Sequence, residues 1–253
     1  MGIAATASPR TQSSAQAPVG TYDRLFYGGM AIAMAALIFG GFAPTYYMKF
    51  FGDGVRATVS GGPFTPLVHL HGALFTAWVL LFIAQTALVA SHRLAVHRRL
   101  GGAGAMLAAA IIVVTTSLAV ATAKRGGAPE GADPLVGLAL PIFDMVNFAT
   151  FVTAALVLRR NKEAHKRLML LAYISVTVAG VVRLPGVFFL GPLAFYGLGY
   201  SLVVVAVIYD LVSRRRVHKA YLWGGTLLYA SIPLRLAIAN TGLWHAFAQA
   251  LTK

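Results

Sequence analysis

The sequence predicts an all-α, polytopic membrane protein with seven transmembrane helices, its N-terminus cytoplasmic and its C-terminus external. Three observations carry this prediction. Of 253 residues, 58% are hydrophobic and only 11% charged, and the mean hydropathy is +0.74, outside the balance of a water-soluble domain. Apolar runs of the roughly 20 residues needed to cross a bilayer recur at 25–48, 65–90, 100–123, 134–158, 166–190, 193–212 and 218–240. Finally, the 21 Lys and Arg, against 7 Asp and Glu, are concentrated in alternate loops.

Residues 1–22, rich in Ala, Ser, Thr, Gln and Pro, read as a disordered cytoplasmic tail without the basic-then-apolar order of a signal peptide. The helical domain covers 23–242, and 243–253 form a short external amphipathic segment. The loop after the first helix, 49–64, is Gly-rich and expected to be irregular, as is 124–133 after the third. Arg93, Arg98 and Arg99 lie between helices two and three. Arg159, Arg160, Lys162, Lys166 and Arg167 lie between four and five, and Arg214, Arg215, Arg216 and Lys219 between six and seven. The positive-inside rule puts these loops in the cytoplasm. With Arg10 and Arg24, fourteen basic residues fall inside, five outside and two within the membrane. The basic excess is therefore a topology signal, and a nucleic-acid partner is not implied. The partner the composition demands is the lipid bilayer. The chain has no cysteine, which removes disulfides and thiolate metal sites.

Each cytoplasmic loop ends on a similar pattern: "AVHRRLGG", "EAHKRLML" and "RVHKAYLW". His97, His165 and His218 thus mark a degenerate repetition of helix pairs. Their cationic neighbours would repel a metal ion, so these three, and His92, read as interfacial residues.

Charges at membrane depth cost at least about 2.5–3.5 kcal/mol each on insertion scales and therefore suggest function. Asp144, Arg183 and Arg235 qualify, and each sits beside a proline: Pro141, Pro185 and Pro233. Proline within a spanning helix frees a carbonyl, which is tolerated where neighbours or a cavity satisfy it. Asn147 and Ser231 extend the same polar faces by one turn. One acid for two arginines leaves a positive charge that an anionic group, a carboxylate, a phosphate or a haem propionate, would complete.

The stretch "LVHLHGALFTAWVLLFIAQ", residues 67–85, supplies the remaining candidates. Helical geometry points His69 and His71 about 200° apart, so they do not chelate one ion together. His71, Trp78 and Gln85 recur at seven-residue steps and form a polar stripe facing the bundle. The expected site is an outward-facing cavity lined by His71, Trp78, Gln85, Asp144, Asn147, Arg183 and Arg235. Haem b is its sharpest cofactor form, with His71, His69 or His245 as axial candidates.

The segments "HLHGALFTAWVLLFIAQTALV", "HRRLGGAGA" and "AHKRLMLLA" resemble a group of uncharacterised multipass membrane proteins of bacteria. That resemblance covers helices two to five, implies a bacterial inner-membrane location, and implies no activity. Residue patterns of zinc hydrolases of the progestin-receptor type and of microbial rhodopsins are not met. The sequence therefore carries three readings: binding of an anionic ligand or cofactor, an accessory subunit of a larger membrane complex, and a small-solute transporter. No Ser-His-Asp, His-Glu-x-x-His or paired-carboxylate pattern indicates an enzyme.

Overall fold

The computed structural model describes residues 19–50, 64–128 and 132–253. Among them, eight α-helices form: α1 (Val19–Phe42), α2 (Pro66–Ala90), α3 (Leu94–Lys124), α4 (Pro134–Val157), α5 (Lys162–Val181), α6 (Gly191–Arg214), α7 (Lys219–Ala239) and α8 (Gly242–Thr252). No strand occurs among the described residues. Residues 51–63 of the first long loop and 129–131 of the third lie outside them, as do residues 1–18.

Local chemistry sets the helix starts. Thr65 and Asp133 cap α2 and α4 by accepting from the backbone N–H of Val68 and Leu135, and Pro66 and Pro134 follow in the first turn, where a missing N–H costs nothing. Asn161 caps α5 through Ala164 N–H, the His218 imidazole caps α7 through Ala220 N–H, and Thr241 caps α8 through Trp244 N–H.

One predicted span needs correcting. The fifth apolar run is expected to continue to residue 190, with Pro185 inside the helix. Instead α5 ends at Val181, and Pro185 lies in the turn beyond it. Proline disfavours the α conformation in the residue before it, and Gly186 then takes φ +79°, which a helix cannot accommodate. A single 3₁₀ turn, Val187–Leu190, leads into α6. Pro141 and Pro233 do lie inside α4 and α7.

The packing has one helix at its centre. Helices α1, α2, α3, α4, α7 and α6 touch in that order and close into a ring, and α5 contacts α1, α4, α6 and α7 from within. Fourteen of the twenty α5 residues are buried, against less than two-fifths of the apolar window in each of the six ring helices. Those six ring helices are the ones long and apolar enough to cross a membrane. The central helix is shielded by protein, so its own composition is free to be more polar. Ser175 and Thr177 illustrate this by donating to Ala172 O and Tyr173 O within the helix.

Close approach to α5 depends on glycine. A Cβ at Gly180 would meet Ile38 Cα at 2.6 Å and Leu37 O at 2.7 Å, while one at Gly199 would meet a Val178 methyl at 2.6 Å. Small residues at crossings are how helices associate where lipid supplies no hydrophobic drive.

Candidate functional site

Asp144, ten residues into α4, lies about 15 Å along the helix from its start. Arg235 of α7 donates to it through Nη1 at 2.6 Å, and the Tyr196 hydroxyl of α6 donates to the second carboxylate oxygen at 2.9 Å. The remaining guanidinium donors reach Ser231 Oγ at 2.9 Å, Ser231 O at 3.1 Å and Tyr200 Oη at 3.3 Å. Asn147 donates to Ser231 Oγ at 3.0 Å, and Ser231 in turn donates to Leu228 O at 2.6 Å. The Tyr196 ring lies 4.0 Å from the guanidinium carbon, a cation–π contact on the same cation. Arg235 is wholly buried; the Asp144 side chain keeps 20% exposure. The unit is thus a neutral ion pair enclosed by two phenols, a hydroxyl and an amide. Sequence reading identified Asp144, Asn147 and Arg235 but missed Tyr196 and Tyr200, which carry no signal among ten tyrosines until α6 is placed beside α5 and α7.

Arg183 is placed elsewhere. It stands two residues past α5, donates to Ala179 O, and lies with its guanidinium carbon 4.1 Å from the centre of the Phe42 ring. No carboxylate among the described residues pairs with it. His71 of α2 has a different neighbour: its Nδ1 and Thr115 Oγ1 of α3 are 3.2 Å apart. The Phe75 ring lies 4.7 Å from the imidazole. The structure therefore divides the expected site: Asp144 and Arg235 pair with each other, Arg183 meets a carbonyl and an aromatic ring, and His71 meets Thr115.

The other candidates go to separate neighbours. Trp78 is buried edge-on against Phe148 of α4 at 5.0 Å. Gln85 donates to His97 O at 3.3 Å. His69 is exposed, its Nδ1 3.1 Å from Tyr46 Oη. His245 of α8 bonds through both ring nitrogens, to Thr241 O at 3.0 Å and to Asp133 at 2.9 Å. The Thr241 carbonyl and Asp133 raise the His245 pKa above its ordinary value, and His245 lowers that of Asp133. These three histidines do not converge, and among the described residues no group of three or more His, Asp or Glu could hold a metal ion. Trp244 packs inward and donates to Leu135 O at 2.7 Å, while Leu243, Phe247 and Leu251 form the exposed face of α8.

A second charged network, at the end of the bundle bearing the arginine-rich turns, escaped the sequence reading. Arg167 and Asp210 are both fully buried and form a two-pronged pair at 2.9 and 2.6 Å. Glu163 joins Arg167 at 2.7 Å and Lys166 at 2.7 Å. Asp23 of α1 binds Lys166 at 2.6 Å and Arg214 at 2.7 Å, and accepts from the Tyr209 hydroxyl at 2.6 Å. Three acids thus face three bases, so the network is neutral and ties α1, α5 and α6 together. The backbone N–H of His218, leading into α7, also donates to Asp210, at 3.1 Å. Burial and the Arg167 charge hold the His218 pKa below its ordinary value, which keeps Nδ1 free to accept from Ala220 N–H. Two sequence signals were present: Glu163 and Asp210 each precede an arginine by four residues, one helical turn.

No family model matches the chain, and neither the curated proteins nor the solved structures include a match to it.

Proposed function

We propose that this chain is a seven-span protein of a bacterial inner membrane, N-terminus inside, which binds an anionic group at the outer end of its central helix. The multipass membrane character rests on the six apolar ring helices. Taking α5 as the seventh span is supported by its twenty residues, about 30 Å at 1.5 Å each, which match the hydrocarbon thickness.

The observation that carries the ligand reading is the contrast between the two arginines. Arg235 is matched by Asp144. Arg183, half-buried, is left with a carbonyl and an aromatic ring. Neither neutralises a cation in a low-dielectric setting, and a guanidinium fork suits a carboxylate or phosphate. A haem propionate is one such carboxylate, and the complex-subunit and transporter readings are other uses of the same cation.

The test is thermal unfolding of the detergent-purified protein in inorganic phosphate, succinate or chloride at equal ionic strength. Phosphate or succinate should raise the melting temperature relative to chloride, and Arg183→Gln should abolish the difference. Equal melting temperatures in all three salts would remove the proposal. A Soret band that is present in the wild-type protein and lost in Arg183→Gln would identify the anion as a haem propionate.

A further inference from the structure

Buried polar atoms without partners are not scattered through this molecule. Of six such side-chain atoms among the described residues, four lie along one seam: Trp78 Nε1 and Gln85 Oε1 of α2, His97 Nδ1 of α3 and Tyr173 Oη of α5. Side-chain contacts join α2, α3 and α5 along this seam. Phe82, between Trp78 and Gln85 on α2, packs on the Tyr173 ring at 4.5 Å. Gln85 donates to His97 O, and the His97 ring lies edge-on to His165 of α5 at 6.4 Å. The row from Trp78 to Gln85 spans about 10 Å of helix, a third of the hydrocarbon core, and continues to the end with the arginine-rich turns.

The chemistry of the four atoms selects what satisfies them. The indole N–H only donates and the Gln85 carbonyl oxygen only accepts. A cation cannot accept from Trp78, and an anion cannot donate to Gln85. A neutral partner that does both at each position is water, which fills buried polar sites of this kind. Left dry, four unpaired groups would each cost about 1–3 kcal/mol, together comparable to the net stability of a domain.

We propose that the α2–α3–α5 seam holds a file of water molecules that carries protons between the basic end of the bundle and the membrane interior. His165 Nδ1 lies 2.8 Å from Ala155 O, so it carries the proton of the neutral ring and keeps it on the carbonyl; Nε2 holds the lone pair, and a proton taken up there is released again from Nε2 to the first water of the file. His97 Nδ1 is the next titratable atom inward. Beyond it each water accepts one proton and releases another, and the Tyr173 hydroxyl does the same, so charge moves without a net change in any residue. Trp78 cannot relay, and its N–H anchors a water instead. His71, seven residues further along the same face of α2, takes the path on to the opposite end. The histidines that loop position alone marks as interfacial become the entrance to this path. The inference shares the membrane-spanning reading above but not the Arg183 site.

The experiment uses the full chain in phosphatidylcholine–phosphatidylglycerol liposomes containing a pH-sensitive dye, with a potassium gradient and valinomycin driving proton entry. Wild-type protein should acidify the interior faster than protein-free liposomes. His97→Ala and the milder Gln85→Leu should both return the rate to that of protein-free liposomes, while His92→Ala, an exposed histidine at the same end, should not. A second readout separates wet from dry. In a dry seam Tyr173→Phe deletes an unpaired hydroxyl and raises the melting temperature; in a hydrated one it does not raise it, and the flux falls. No flux above protein-free liposomes, flux that survives Gln85→Leu, or a higher melting temperature for Tyr173→Phe would each overturn the proposal.

Discussion

Arg235 has four donor contacts and one counter-charge, all supplied by residues from three helices. Breaking such a pair from one side leaves the other charge buried and uncompensated, which costs about 3–5 kcal/mol, whereas replacing both partners with apolar groups is often neutral. Asp144→Ala should therefore lower stability by about 3–5 kcal/mol, and the double variant Asp144→Leu/Arg235→Met should recover most of that loss. Thermal unfolding in detergent measures both. A double variant as unstable as Asp144→Ala would mean that Tyr196, Tyr200 and Ser231 depend on the charges for their positions. The same logic separates Arg183 from Arg235: with no carboxylate to lose, Arg183→Gln removes an isolated charge, and its effect appears in anion response before it appears in stability.

At the scale of elements, the crossing of α1 and α5 tests whether glycine is present for space or by chance. In an exposed helix position Gly→Ala stabilises by about 1 kcal/mol through backbone entropy. Gly28, with nothing within 4 Å of its added Cβ, should follow that rule. At Gly180 the obstructing atoms are the backbone of Ile38 and Leu37, which cannot rotate aside as a side chain can. Gly180→Ala should push the helices apart and cost about 1–3 kcal/mol, as overpacking does. Opposite signs of the melting-temperature shift in Gly28→Ala and Gly180→Ala are the expected result. Much of the element layout was legible in the sequence because lipid contact demands long apolar runs, and six of the seven runs are ring helices facing lipid. The fifth run was misjudged at its end because hydropathy continues through Val187, Phe188 and Phe189 while the Pro185-Gly186 pair breaks the backbone. The α6 partners of Asp144, Arg235 and Arg167 were invisible for another reason: Tyr196, Tyr200 and Asp210 arrive from α6, and no local spacing encodes that α6 neighbours α5 and α7.

For the whole molecule, charge pairing and topology are linked. All five described acidic residues form ion pairs: Asp23, Glu163 and Asp210 at one end, Asp144 at depth and Asp133 with His245 at the other. The arginine-rich turns are therefore less positive than their residue count implies, since Lys166, Arg167 and Arg214 are neutralised within the fold. The orientation signal then rests on Arg93, Arg98, Arg99, Arg159, Arg160, Lys162, Arg215, Arg216 and Lys219, which lie in the same set of alternate turns that the positive-inside rule reads. Because the chain has no cysteine, single introduced cysteines report sidedness without background. Ser91→Cys and Arg216→Cys, exposed in the α2–α3 and α6–α7 turns, should react with a membrane-impermeant maleimide only after a bacterial host expressing the protein is lysed. Pro185→Cys and Asn240→Cys, exposed at the other end, should react in intact cells. Pro185 is the informative position, since it follows the one predicted span that is not among the six long apolar ring helices. Its labelling from the side opposite to Ser91 would establish α5 as a crossing helix, and labelling from the same side would remove the seven-span arrangement together with the outward position of Arg183.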